Sequence, residues 1–247
     1  MAPATDFAVS VVLVTGSSSG IGLATARRFA ERGDSVVFNS AHSVEAGEHA
    51  SDSTPGSHYV RADIANAEDC TRLVAEVLER FGRLDILINN AGTTQVIPHA
   101  DLEAANLDVW REIFEVNVFG TWQLSVAAMA ALRESQGSIV NVSSVAGIRP
   151  TGSSIPYAAS KAALNHMTVL LAKVVGPEVR VNAVAPGLID TPWTKDWEAV
   201  RSFVQRTAPL RRSGSPDDVA DLIVALALSP YVTGQVVAVD GGFTIVT

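Results

Sequence analysis

A tyrosine and a lysine stand four residues apart in the segment YAASK, at Tyr157 and Lys161. On a helix, residues with this spacing share one face, and Pro156 stands just before them, where a helix would begin. A phenol beside an ammonium can act as a proton donor, because the positive charge favours the phenolate and lowers the tyrosine pKa from its usual value of about 10. The spacing alone is equally compatible with an exposed amphipathic turn.

A glycine-rich segment could hold a phosphate group. In VLVTGSSSGIGLATA, the glycines Gly16, Gly20 and Gly22 follow an apolar run and precede a helical pattern. Glycine lets the backbone turn sharply and approach a pyrophosphate, which then meets the free N–H groups and partial positive charge of the helix N-terminus. Because strand, turn and helix occur in this order, the segment predicts a dinucleotide-binding turn rather than an ordinary strand–helix connection.

The apolar pattern predicts the scaffold that would position these residues. Segments with helical periodicity, among them 108–133, 157–175 and 216–228, alternate with short runs rich in β-branched residues. The alternation predicts βαβ units and a mostly parallel sheet with helices on both faces. The predicted strands are 9–15, 35–39, 58–62, 84–89, 137–143, 179–186 and 235–240.

The chain is expected to form one domain over residues 1–247, a length typical of a single large α/β domain. No internal repeat or linker interrupts it. Two stretches are predicted to be irregular, 50–58 and about 190–215. The second carries Trp193, Trp197 and Phe203, and we expect it to form a loop or lid over the substrate.

Composition excludes several function classes. The net charge is −8 and no stripe rich in lysine or arginine is present, so nucleic acid is not an expected partner. No run approaches the roughly 18 apolar residues of a membrane span, and the start of the chain lacks the pattern of a signal peptide. A cytoplasmic protein is expected. The single Cys70 cannot form an intrachain disulfide, and the five histidines lack metal-binding spacing, so no metal site is expected.

The motifs, taken together and in order, resemble those of the short-chain dehydrogenase/reductase family. They are the glycine pattern G-x-x-x-G-x-G, NNAG (89–92), VNV (116–118), VNVSSVAG (140–147), YAASK, VNAVAPGLIDT (181–191) and YVTGQVVAVDGG (231–242). The resemblance implies a single-domain, doubly wound Rossmann fold of the α/β class, with seven strands in the order 3-2-1-4-5-6-7. It also implies an NAD(P)(H)-dependent oxidoreductase that interconverts a ketone and a secondary alcohol.

The resemblance assigns four catalytic roles. Tyr157 is the acid or base, and Lys161 lowers its pKa and holds the nicotinamide ribose. Ser144 binds the substrate oxygen; Ser143 is its neighbour, and the alternation of side chains along a strand favours Ser144. Asn117 bends the helix 108–133 and binds a water that links Lys161 to solvent. Its alternative is a buried polar residue without function, which costs free energy unless it is hydrogen-bonded.

The resemblance also assigns the cofactor contacts. Asp63 is expected to accept a hydrogen bond from the adenine amino group, or alternatively to cap the following helix. Tyr157 and Lys161 belong to the cofactor contacts as well as to the catalytic group. The other contacts are Gly16, Ser18, Ser19, Gly20, Ile21 and Gly22 at the phosphates, Ile64 at the adenine, Asn89, Ala91 and Gly92 at the ribose, and Pro186, Gly187, Ile189 and Thr191 at the nicotinamide.

The choice between NAD(H) and NADP(H) depends on the end of the second strand. NAD-preferring relatives have an acid eighteen residues after the last glycine of the turn, and here that position is Ser40. The basic residues typical of NADP-preferring relatives are missing, since Ser19 and Ala41 occupy their positions. Because Ser40 carries no charge to repel a phosphate, and because Ser40, His42 and nearby hydroxyl and N–H groups could bind one, the sequence favours NADP(H) over NAD(H).

The predicted substrate pocket lies between the segments 93–99, 148–155 and 193–203. These are mainly apolar, which favours a hydrophobic or modest-sized ketone or alcohol. One alternative is a 3-oxoacyl-[acyl-carrier-protein] reductase, in which basic residues near the pocket would meet the acidic carrier; the candidates are Arg149, Arg206, Arg211 and Arg212. The other is a non-catalytic dinucleotide sensor, against which the presence of all four catalytic residue types speaks.

Apolar residues occur on more than one side of the segment 108–133, which suggests a subunit interface. By resemblance, this segment and 157–175 pair with their copies in a homodimer or homotetramer.

Overall fold

A parallel sheet of seven strands forms the centre of the computed structural model, which describes residues 9–246. The strand order is β3-β2-β1-β4-β5-β6-β7 and each neighbouring pair is parallel, which confirms the predicted fold class and order. The order reverses between β1 and β4, where a doubly wound sheet opens a crevice for ligands. The strands are β1 (Val11–Val14), β2 (Ser35–Ser40), β3 (His58–Arg61), β4 (Ile86–Asn89), β5 (Ser138–Val142), β6 (Arg180–Pro186) and β7 (Val236–Val239).

Helices cover both faces of the sheet. One buried cluster joins Leu73 and Leu124 to one face, and the other joins Phe29 and Ile223 to the opposite face. Burial on both sides explains why most strand residues are apolar. The helices of the described residues are α1 (Gly20–Glu31), α2 (Val44–Asp52), α3 (Ala67–Phe81), α4 (Leu107–Phe114), α5 (Thr121–Glu134), α6 (Ile155–Val175), α7 (Glu198–Thr207) and α8 (Pro216–Leu228).

Polar side chains begin several of these helices. Asn66 accepts hydrogen bonds from the N–H groups of Glu68 and Asp69 at the start of α3. Ser215 and Asp218 form a capping box at the start of α8, with Pro216 in its first turn. Such caps satisfy N–H groups that have no partner within the helix. Because Asn66 caps α3, the alternative role of Asp63 as its cap was wrong.

Two predicted segments differ in detail from the structure. The expected helix over 108–133 is divided by a π-helical segment, Glu115–Gly120, between α4 and α5. The segment 190–215 is not irregular throughout, because it contains a short 3₁₀ turn at Pro192–Thr194 and the ten-residue helix α7. The helix α2 likewise extends to Asp52, into the stretch that was expected to be a loop.

No helix between residues 9 and 246 is both long and apolar enough to cross a bilayer. In the same range, the structure brings together no group of three potential metal-ligating side chains. The first eight residues, on which the expectation about a signal peptide rests, lie outside the described residues.

Candidate active site

A cavity of about 1030 Å³ opens at the carboxyl ends of the central strands. Its volume is at the upper end of the range typical of small-molecule sites, roughly 300–1,000 Å³. The loops after β1, β4, β5 and β6 form its walls. Of the predicted site residues, those lining it are Gly16, Ser19, Gly20, Ile21, Ala91, Gly92, Ser144, Tyr157, Lys161, Pro186, Gly187, Ile189 and Thr191.

The turn between β1 and α1 has the geometry of a phosphate cradle. Gly16 and Gly20 have positive φ angles of 61° and 56°, which side chains rarely permit. A Cβ on Gly22 would collide with the Asn90 amide and lie 2.5 Å from the Gly16 carbonyl oxygen. Ser19, the N-cap residue of α1, makes no side-chain capping bond, so the helix N-terminus keeps donors for an anion. The residues therefore fit a dinucleotide.

Three of the four predicted catalytic residues, Ser144, Tyr157 and Lys161, meet at one wall of the cavity. Lys161 Nζ lies 5.7 Å from the centre of the Tyr157 ring and donates to the Val142 carbonyl oxygen at 2.9 Å. Ser144 is hydrogen-bonded to the Tyr157 hydroxyl. The helix α6 carries the tyrosine and the lysine on one face, and the Ser154 hydroxyl caps its first turn at the Tyr157 N–H.

The direction of the Tyr157 pKa differs from the expectation. Desolvation raises the pKa of Tyr157, and the hydrogen bond with Ser144 opposes this only in part. Desolvation also lowers the pKa of Lys161 to about 8. The expected net lowering of the tyrosine pKa was therefore wrong, because desolvation outweighs any attraction from Lys161, whose ammonium is engaged with the Val142 carbonyl.

Neighbouring Ser143 is used within the fold. It is buried, and its hydroxyl donates to the Lys161 carbonyl oxygen at 3.2 Å. Ser144 is only half-buried and lines the cavity. The geometry therefore leaves Ser144 as the better placed hydroxyl for a substrate oxygen.

Asn117 lies in the π-helical segment and is fully buried. Its Oδ1 accepts from the Thr93 N–H at 2.8 Å, and its Nδ2 donates to the Thr93 carbonyl and to Ser160 Oγ, each at 3.0 Å. Both N–H groups of the amide are thus used by the protein. A water between Asn117 and Lys161 would have to bind an oxygen of Asn117.

Other predicted contacts lie away from the cavity. Asn89 is only 2% exposed and its amide donates to Asn141 and Ser125, so its side chain is used within the fold. Ile64, which we expected to flank the adenine, packs into the core. Ser18, Gly22, Ser40, Asp63 and Asn117 also lie outside the cavity lining.

Sequence reasoning missed Asn90, which lines the cavity next to Ala91. Asn90 Nδ2 donates to the Thr15 and Gly16 carbonyl oxygens at 2.8 and 3.1 Å and so holds the glycine turn. The alternation of side chains could have separated the two asparagines, because Asn89 ends a buried strand and Asn90 follows it.

The rest of the cavity is the predicted substrate side. Residues from all three predicted segments line it, among them Ile97, Pro150 and Phe203. The rings of Tyr157 and Trp193 meet edge to face, with 6.5 Å between their centres. Trp193 remains 46% exposed.

Comparison with known proteins places the chain in a family. A solved structure from Burkholderia xenovorans, titled a "putative short-chain dehydrogenase/reductase", superimposes with a TM-score of 0.91 at 39% identity, covering 96% of this chain and 99% of the other. A family model described as enoyl-(acyl carrier protein) reductase matches residues 16–244. The chain belongs to the short-chain dehydrogenase/reductase family.

Two similar members of this family are named as reductases of ketoacyl groups. The "granaticin polyketide synthase putative ketoacyl reductase 2" of Streptomyces violaceoruber is 56% identical over 94% of this chain and 95% of its own length. The 3-oxoacyl-[acyl-carrier-protein] reductase FabG of Thermotoga maritima is 39% identical over 95% of this chain and 98% of its own length. As a short-chain dehydrogenase/reductase, the chain is an oxidoreductase that acts on CH–OH and C=O groups with an NAD(P) cofactor.

Proposed function

We propose that this protein is an NADP(H)-dependent ketoreductase for a neutral, largely apolar ketone, with Tyr157 as the proton donor. The observation that carries the proposal is one continuous cavity. It joins the glycine turn, the hydroxyls of Tyr157 and Ser144, and an aromatic wall at Trp193. A cofactor in the glycine turn and the Tyr157 hydroxyl would thereby both reach a carbonyl group bound in this cavity.

In the reduction, the Tyr157 hydroxyl gives its proton to the carbonyl oxygen as a new C–H bond forms at the carbonyl carbon. The reduced nicotinamide, when bound, supplies the hydride for that bond. Ser144 donates a hydrogen bond to the same oxygen and stabilises the negative charge that develops there. The residue left on the enzyme is the Tyr157 phenolate, which the Lys161 ammonium stabilises until a proton returns from solvent.

The cavity lining favours a neutral substrate. Among the described residues that line it, Lys161 is the only lysine or arginine, and its ammonium is hydrogen-bonded to the Val142 carbonyl. A carboxylate or phosphate on the substrate would therefore lack a cationic partner. Two of the four tryptophans, Trp193 and Trp197, line the cavity, and we propose that their segment, about 190–215, covers the bound substrate.

Replacing Trp193 tests the aromatic wall. We expect Trp193→Leu to raise KM for 1-tetralone about fivefold, because a ring pair contributes roughly 1 kcal/mol beyond its buried area. The KM for 1-decalone, which has the same bicyclic skeleton without an aromatic ring, should change less than twofold. Steady-state kinetics with NADPH measure both values.

Trp193→Phe, which keeps an aromatic ring, should retain most of the preference for 1-tetralone. Val200→Ala is the matched control, since Val200 is an exposed apolar residue of the same wall. If Trp193→Leu changed KM equally for the two ketones, the side chain of Trp193 would act through its size and not through contacts between aromatic rings.

The ketone panel also tests the proposed function itself. We expect oxidation of NADPH with cyclic and open-chain ketones, followed by the absorbance of the reduced nicotinamide. Binding of NADPH without oxidation by any ketone or 3-oxo thioester would contradict the proposal and favour a dinucleotide sensor.

A carrier-bound 3-oxoacyl group is the second candidate substrate. The names of the two relatives favour it, and Arg149, Arg206 and Arg211 are exposed and form no salt bridge within residues 9–246, whereas Arg212 pairs with Asp218. A higher kcat/KM for an acetoacetyl group on an acyl carrier protein than for the same group on N-acetylcysteamine would support this candidate.

We further propose that α5 and α6 form a subunit interface. Each presents large apolar residues to solvent, including Trp122 on α5 and Leu170 on α6, which are 47% and 52% exposed.

We expect light scattering at micromolar concentration to give two or four times the chain mass of 25.9 kDa. Trp122→Glu should reduce the mass, while Leu102→Glu, at an exposed loop position, should not. A monomeric wild type would overturn the proposal.

A further inference from the structure

Arg61 lies beside the place where the end of β2 would meet a cofactor ribose. It is the last residue of β3 and the register partner of Ser40, the last residue of β2. Its Nε donates to the Ala41 carbonyl oxygen at 3.2 Å. An exposed guanidinium is therefore held against the first residue after β2, although Arg61 stands twenty residues away from Ala41 in the sequence.

The charge of Arg61 is not neutralised by a close partner. Within residues 9–246 it forms no salt bridge, although its charge contributes to lowering the pKa of Asp69. Neighbouring Arg72, by contrast, is paired with both Asp69 and Glu76, at 2.8 and 2.7 Å. Although the chain has a net charge of −8, this edge of the sheet therefore carries a positive charge without a salt-bridge partner among residues 9–246.

The groups around Arg61 suit an anion. The Ser40 hydroxyl is not free, because it donates to the Ser43 carbonyl at 3.0 Å and lies 2.9 Å from the Tyr59 hydroxyl. The following residues His42 and Ser43 are exposed and carry no negative charge. The Ser40 hydroxyl is thus engaged within the fold, while Ser40 carries no charge that would repel a phosphate bound beside Arg61.

We propose that Arg61 binds the 2′-phosphate of NADP(H) and so sets the preference for this cofactor. The inference rests on the proposed use of NADP(H). A guanidinium presents several N–H donors in a planar fork that matches phosphate, and its hydrogen bonds to an anion are stronger than those between neutral groups. With Nε engaged by Ala41, the two terminal nitrogens of Arg61 remain for the phosphate.

Binding of adenine nucleotides tests this without turnover. We expect calorimetry to show that the wild type binds 2′,5′-ADP more than tenfold tighter than 5′-AMP, which lacks the 2′-phosphate. Arg61→Ala should weaken the binding of 2′,5′-ADP about tenfold and leave that of 5′-AMP unchanged. Arg61→Lys keeps the charge but not the planar guanidinium, and its affinity for 2′,5′-ADP should lie between those of the wild type and Arg61→Ala. Arg133→Ala, an exposed arginine on α5, is the matched control.

The melting temperature of each variant separates binding from a structural role of the Arg61–Ala41 bond. If Arg61 only joined β3 to the end of β2, Arg61→Ala would weaken both nucleotides together and lower the melting temperature. A wild type that binds both nucleotides equally would overturn the NADP(H) preference and with it the role of Arg61, while the ketone panel decides the reductase function separately. A wild type that prefers 2′,5′-ADP, with that preference intact in Arg61→Ala, would overturn the role of Arg61 alone.

Discussion

Tyr157→Phe is expected to lower kcat by roughly 10²–10⁴-fold, the usual contribution of a general acid, while leaving the dissociation constant for NADPH nearly unchanged. The substitution removes the hydroxyl that is hydrogen-bonded to Ser144 and keeps the ring that contacts Trp193. Proton transfer is therefore lost without a change in the shape of the wall. Steady-state kinetics with a ketone and NADPH, and a fluorescence titration of NADPH, measure the two quantities.

Tyr231→Phe is the matched control, because Tyr231 is 99% exposed and lies outside the cavity. Its kcat should equal that of the wild type. If Tyr157→Phe kept more than about a tenth of the wild-type kcat, the proton would have to come from another group, and Ser144 would be the next candidate to replace.

The fold could be predicted because its main determinants are local and repeated. Most strands are short apolar runs and the segments between them are long enough for helices, so the alternation can be recognised without knowledge of contacts. The π-helical segment at Glu115–Gly120, by contrast, does not follow from a local pattern. It accompanies the bonds of Asn117 to Thr93 and Ser160, which join segments distant in the sequence. Helix α7 was missed because most of its residues are polar and it buries only Val204, so it does not stand out as an apolar segment.

The candidate site was predicted unevenly for a similar reason. Residues brought together by one turn or one helix, such as Gly16 and Gly20 or Tyr157 and Lys161, follow from short motifs. Arg61 reaches Ala41 from the adjacent strand, which no local pattern records.

The sign of a pKa shift is likewise not a property of spacing. YAASK places an ammonium near the phenol, but the degree of burial decides which effect is larger, and burial is set by the loops that close around both groups. In this chain it raises the pKa of Tyr157.

Lys161→Met is expected to reduce kcat and to weaken NADPH binding together, because the ammonium both stabilises the Tyr157 phenolate and is placed to hold the nicotinamide ribose. Methionine fills most of the same buried space, so the loss would not come from an empty cavity. Lys173→Met, at an exposed position of the same helix, should change neither quantity. Loss of kcat with unaltered NADPH binding would assign Lys161 to proton transfer alone.

The pH dependence gives Lys161 a second, independent signature. Its pKa of about 8 in the folded protein lies below its usual value of 10.5, so the ammonium is lost as the pH rises through 8, and ketone reduction should fall above that pH.

Between about pH 8 and 10.5 the unfolded chain binds more protons than the folded one at this residue, so Lys161 increases the free energy of unfolding as the pH rises, by on the order of 3 kcal/mol over the window. In Lys161→Met this contribution should disappear, which urea unfolding at pH 8 and pH 10 would measure against the wild type. Parallel stability curves for the two proteins would mean that Lys161 keeps an ordinary pKa, and the decline of activity above pH 8 would then need another titrating group.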